Sequence, residues 1–242
     1  MDDENDLDNL SLSPTTITID DDKCQVRCPK HMETECNKIY TITTQRIGEK
    51  SGTGEIYIAL DENKTKYIAK KVKPSQILIN SVKTQVEASK YKISPQIVQY
   101  LECHKNSFLI MEYAGSTTVN RVILETADIG EILNLINMTI ECLDKFHKLG
   151  FSHGDPNLNN FILSVDNGVK LIDFELSEKL TPNKYWTDFM MLRDLVSNTL
   201  RDHPFKTTIT SYIGDIIQTR RLKGSNYVKE IIRNSRKLSP VL

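Results

Sequence analysis

The chain has 242 residues and a mass of 27.7 kDa, which suits one large domain or two small lobes. Hydrophobic residues make up 39% and charged residues 26%, enough for a core, so wholesale disorder is excluded. The 31 Lys and Arg against 32 Asp and Glu give a formal net charge of −1, a balance that does not indicate nucleic-acid binding.

The longest apolar runs, such as Phe108 to Met111, are too short to span a bilayer. The acidic start lacks the basic and apolar regions of a secretory signal. Five cysteines are few and odd in number, so a disulfide framework is not expected. A reducing, cytoplasmic compartment is, meaning the host cytoplasm if the source is a virus or pathogen.

Residues 1–22 hold eight acidic residues and no Lys or Arg. They read as a disordered acidic tail, extended to residue 37 by a Cys/His cluster. Residues 40–43, 55–60 and 67–72 are β-prone runs, separated by Gly48/Gly52/Gly54 and by Asp61–Lys64. A helix is predicted from just after Pro74-Ser75 to about Tyr91, and strands at 97–100 and 108–113. From Ile129 apolar residues recur at three- and four-residue steps to Leu149, predicting a long amphipathic helix that stops at Gly150. Short strands follow near 161–163 and 169–172, and the chain from Tyr185 is mainly helical. The expected fold is α+β in two lobes. From Lys206 onward eight basic residues face two acidic ones, which reads as a solvated helix face or a surface for an acidic partner.

Four features carry chemistry. Three glycines between two strands let backbone amides approach phosphate oxygens, though a plain hairpin turn uses the same residues. Lys70, within an apolar strand, needs a counter-charge. Glu87, in the following helix, is either its partner or a solvated acid. The segment His153-Gly154-Asp155-Pro156-Asn157-Leu158-Asn159-Asn160 precedes Asp173-Phe174-Glu175.

In this order the set resembles the protein kinase-like superfamily, over roughly residues 40–200. His-Gly-Asp stands for the usual His-Arg-Asp, and Asp-Phe-Glu for Asp-Phe-Gly. The resemblance implies a β-rich N-lobe over 38–114 and a shortened helical C-lobe over 115–242. It implies ATP with Mg²⁺ or Mn²⁺ as cofactors. Asp155 would orient the acceptor hydroxyl and take its proton. Asn160 and Asp173 would hold the metal, and Lys70, fixed by Glu87, the α- and β-phosphates. Gly48, Gly52 and Gly54 would cover the phosphates. Met111 would be the gatekeeper, and Glu112, Tyr113 and Ala114 the hinge for adenine. Phosphoryl transfer asks mainly for such positioning and charge neutralisation.

Several positions depart from the family. Gly154 replaces an arginine that pairs with a phosphorylated activation loop, so that control is not expected. Asn157 stands where Ser/Thr kinases carry lysine. Glu175 adds an acid beside the metal site, and no Ala-Pro-Glu motif follows Asp173. These traits resemble atypical, compact kinases. The expected function is an atypical Ser/Thr protein kinase acting on a protein substrate, with an activating protein partner to replace the missing loop. A small-molecule kinase or ATPase subunit, and a pseudokinase binding module, are the alternatives. Cys24, Cys28, His31 and Cys36 have zinc-compatible residue types but lack the long loop between two knuckles. Unliganded thiols are expected there rather than Zn²⁺.

Overall fold

Alternation of apolar and polar residues builds most of the first half into one antiparallel sheet. The computed structural model describes residues 10–19, 22–29, 38–47, 55–73, 75–103, 107–166, 168–222, 229–231 and 233. The chain divides into two compact units. The first runs to Lys90 and resumes over Pro95–Tyr113; the second comprises Tyr91–Ser94 and everything from Ala114.

The first unit contains β1 (Leu10–Ile19), β2 (Asp22–Pro29), β3 (Thr41–Arg46), β4 (Ile56–Leu60), β5 (Lys66–Val72), α1 (Gln76–Lys90), β6 (Ile97–Cys103) and β7 (Ser107–Glu112). The seven strands are ordered β1-β2-β6-β7-β5-β4-β3. One face packs Ile68, Val72, Leu109 and Met111 against Leu78, Val82 and Val86 of α1. The other buries Val26, Cys28, Tyr40, Ala69, Leu101 and Ile110. A sheet covered on both sides gains stability from both sets of side chains.

The expected disorder of the tail over 1–37 is corrected for residues 10–19 and 22–29; the rest of that stretch lies outside the described residues. Residues Leu10–Ile19 pair with Asp22–Pro29, and β2 pairs with β6. Charge averaged over residues 1–22 hid the Thr- and Ile-rich run Thr15–Ile19, which is strongly β-prone. The β1–β2 register shifts between Leu12 and Thr16, around Pro14, which has no N–H to give a ladder.

The second unit contains α2 (Val119–Glu125), α3 (Ile129–Lys148), β8 (Phe151–Ser152), a 3₁₀ turn (Leu158–Asn160), β9 (Phe161–Leu163), β10 (Val169–Leu171), β11 (Glu178–Lys179), α4 (Pro182–Thr199) and α5 (Lys206–Leu222). Asp128 caps α3 by accepting from the N–H groups of Gly130 and Glu131. Gly150, at φ 93, follows the helix as its left-handed stop. The apolar stripe of α3 buries Ile132, Ile136, Ile140, Leu143 and Phe146. Tyr185, Phe189, Leu192 and Val196 bury the matching side of α4. Arg220 of α5 pairs with Asp144 of α3 and lies 4.4 Å from the Phe189 ring centre. The strand-rich first unit and helical second unit give the expected α+β class. Among the described residues no helix is long and apolar enough to cross a membrane.

Candidate active site

The two units each carry part of the predicted constellation. In the first, Lys70 stands on β5 opposite Ile56 and Leu109. Alternation puts it on the α1 face with Ile68 and Val72. Its neighbour Lys71 occupies the other face and reaches Glu55 at 3.5 Å. Glu55 also accepts from the Tyr57 hydroxyl at 2.8 Å, and that hydrogen bond outweighs the cost of burial to hold its carboxyl below the ordinary range.

Glu87 departs from its expected role. Its ion partner is Lys90, at 2.6 Å on the same helix, rather than Lys70. Residues three apart on a helix face one another, so this pairing needs no tertiary contact. Among the described residues, Gln85 is one of three buried polar residues of this helix, with Ser81 and Thr84. Its Nε2 donates to the Pro95 carbonyl at 3.0 Å and meets Met111 Sδ at 3.7 Å. Met111 is buried. The Glu112 N–H donates to the Gln96 carbonyl at 2.8 Å, and its carboxylate accepts from the Gln96 N–H at 3.1 Å. Gly48, Gly52 and Gly54 lie outside the described residues, as do His31 and Cys36.

In the second unit the loop after β8 is fixed from behind by Asp188 of α4, a residue the sequence reading did not single out. One Asp188 oxygen accepts from the His153 N–H at 2.8 Å and contacts His147 Nε2 at 2.8 Å. The other accepts from the Gly154 N–H at 3.0 Å. Burial pushes the Asp188 carboxyl up, but His147 and the two backbone donors outweigh it and the net shift is downward. An aspartate on the apolar stripe of a helix was the available signal, since a buried carboxylate must be satisfied.

His153 is fully buried among Phe146 and Phe174. Its Nε2 donates to the Ile172 carbonyl at 3.0 Å, which leaves Nδ1 to accept the Asp155 N–H at 3.3 Å. Burial lowers its pKa, so the neutral ring is favoured. Asn160 then turns back on Asp155. Its Nδ2 donates to the Asp155 carbonyl at 3.0 Å and to Oδ2 at 3.1 Å. The Asn160 carbonyl accepts from the Ile172 N–H at 2.9 Å, which places Asp173 next in the chain. Asp173 has φ 64, a left-handed conformation that costs a non-glycine residue of order 1–3 kcal/mol. Asp155, Asn160 and Asp173 are thus brought together by one loop and one short hairpin.

A comparison with known families matches residues 42–204, well over half of the chain, to the protein kinase domain. The chain belongs to the protein kinase domain family. Over 150 residues it is 27% identical to mouse Serine/threonine-protein kinase PAK 1, covering 58% of this chain and 27% of that protein. The chain therefore spans about a quarter of that relative's length.

The departures in this kinase domain have local causes. Gly154 has φ 80, and a Cβ there would lie 2.4 Å from the Leu176 carbonyl oxygen. The strap from Phe174 to Thr181 is close to the loop at this point, so a side chain such as arginine has no room. The strap is pinned by Ser177 N–H to Phe174 O at 3.0 Å, by β11 pairing with β8, and by Leu180 N–H to Gly150 O at 2.7 Å. Asn157 accepts from the Asn159 N–H at 3.0 Å, so its side chain serves the turn. Protein kinases generally use ATP and Mg²⁺. Mg²⁺ is commonly held by one or two carboxylates together with phosphate oxygens, and the oxygen donors of Asn160 and Asp173 fit that demand. Among the described residues no group of three or more His, Cys, Asp or Glu is set to hold a metal by itself.

The expectation of unliganded thiols in the cysteine cluster is corrected at Cys28. Cys28 is disulfide-bonded, so its sulfur is neither a free thiol nor a thiolate ligand. Cys142 is a free thiol, and burial pushes it up to about 12, which makes it unreactive at neutral pH.

Proposed function

We propose that this kinase domain transfers the γ-phosphoryl group of ATP to a Ser or Thr hydroxyl of a protein. The observation that carries the reading is the Asp155 carboxylate, oriented by Asn160 Nδ2 at 3.1 Å within a loop tied to Asp188. Bound Mg²⁺·ATP supplies the phosphoryl group and neutralises its charge. Asp155 orients the acceptor hydroxyl and receives its proton as the new oxygen–phosphorus bond forms. Asn160 and Asp173 hold the metal, Lys70 the phosphates, and the Met111–Ala114 stretch the adenine. The pinned strap supports activity without loop phosphorylation.

The test is transfer of labelled γ-phosphate from Mg²⁺·ATP to protein acceptors. Wild type labels protein, and Asp155→Asn lowers the rate by about 10²–10⁴-fold with an unchanged melting temperature. No protein labelling, with or without a candidate activating protein, overturns the reading. The use of Asn157 by its own turn favours a second reading, a small-molecule kinase, which acceptor screening separates. A cytoplasmic setting belongs to the proposal through the low cysteine count, and the Cys28 disulfide weighs against it.

A further inference from the structure

The β2–β6 ladder sets Cys24 opposite Cys103 as direct antiparallel partners. We propose that these two residues form a disulfide that staples the β1–β2 hairpin to the kinase sheet. Directly opposed residues of an antiparallel pair have α-carbons about 4.5–5.5 Å apart. That lies inside the roughly 4.4–6.8 Å window a disulfide spans. The next rung on the same face is Val26 opposite Leu101, both members of one buried cluster. The Cys24–Cys103 rung therefore lies two residues along the ladder, on the same face.

The disulfide at Cys28 is the second observation. It shows that this strand carries oxidised cysteine. Neither Cys24 nor Cys103 can be its partner. Cys24 is four residues away along one strand, about 13 Å, and Cys103 stands opposite Cys24 rather than Cys28. Among the described residues, the Cys28 bond thus leaves Cys24 and Cys103 as the pair open to each other. Cys142 is excluded as a competitor because it is a free, buried thiol in the other unit.

The closed loop would enclose β3, β4, β5 and α1, which carry Lys70 and Gln85. Linking residues so distant in sequence restricts the unfolded chain strongly. The oxidant is a low-molecular-weight disulfide of the glutathione class. Its sulfur–sulfur bond breaks as the Cys24–Cys103 bond forms, and the two hydrogens lost by the cysteines end on the two released thiols.

The experiment equilibrates the full chain with a glutathione redox pair, blocks free thiols, and maps tryptic peptides without reduction. Cleavage after Lys23 and Arg27 separates Cys24 from Cys28, so the two linkages are resolved. The expected result is the Cys24 peptide joined to the Cys103 peptide. Amide exchange in residues 22–29 of Cys103→Ser is expected to be roughly tenfold faster or more than in wild type. Alkylation of both residues in the wild type, a Cys24 linkage to any other cysteine, or unchanged exchange in Cys103→Ser overturns the staple. None of these readouts depends on catalytic activity.

Discussion

Asp188 accepts the backbone N–H of His153 at 2.8 Å. A carboxylate on a helix 35 residues later in the chain therefore fixes the loop that presents Asp155. Asp188→Ala leaves the buried His153 N–H, the part-buried Gly154 N–H and His147 without their acceptor. The expected loss is about 3–5 kcal/mol, read as a lower denaturant midpoint, and activity falls with it. Its lowered carboxyl also makes stability depend on acid. The contribution is present above the ordinary value of 3.8 and is lost as pH falls through the lower folded value.

Gly154→Ala tests the strap. The new Cβ meets the Leu176 oxygen at 2.4 Å in a left-handed backbone, so the loop or the strap must shift. The expected cost is about 1–3 kcal/mol, with phosphoryl transfer reduced more than nucleotide affinity. Thermal unfolding and separate ATP binding and turnover measurements check it. An alanine variant as stable as wild type would mean the strap yields freely.

Lys70→Met and Glu87→Gln should behave differently. Glu87 is paired with Lys90 on its own helix, so Glu87→Gln removes only that local pair and should leave turnover within about twofold. Lys70→Met should lower it by about 10²-fold or more if Lys70 holds phosphates. Equal losses would instead restore the Lys70–Glu87 pairing read from the sequence.

His153 gives a second pH dependence. Burial places its folded pKa below the ordinary 6.5. The unfolded chain therefore binds a proton first as pH falls. Stability is unaffected well above 6.5, declines as pH drops below it, and levels off beneath the folded value. His153→Phe keeps ring packing but loses the Asp155 N–H acceptor, so this decline should flatten in denaturant titrations across pH 7 to 5.

Local patterns made much of this legible. The stripe of α3 and the alternating runs of β4, β5 and β7 report their periods directly. Asp155, Asn160 and Asp173 were readable because short spacings bring them together. The hairpin over residues 10–29 was not, since its strands alternate weakly and sit among acids. The Glu87 partner and Asp188 were not either. Each depends on which face of a helix meets the core, and spacing alone leaves that choice open for an isolated polar residue. The Cys28 disulfide was hidden because cysteine counting treats all five alike.

The sheet order bears on how this protein is produced. The family match starts at residue 42, a natural place to begin a recombinant fragment. Such a fragment would discard β1 and β2, make β6 a bare edge, and remove Val26 and Cys28 from a sealed face. Unpaired edges and uncovered apolar faces invite sticking between molecules. Expression trials should therefore keep the leading hairpin, and poor solubility of a trimmed kinase domain would say nothing against its chemistry.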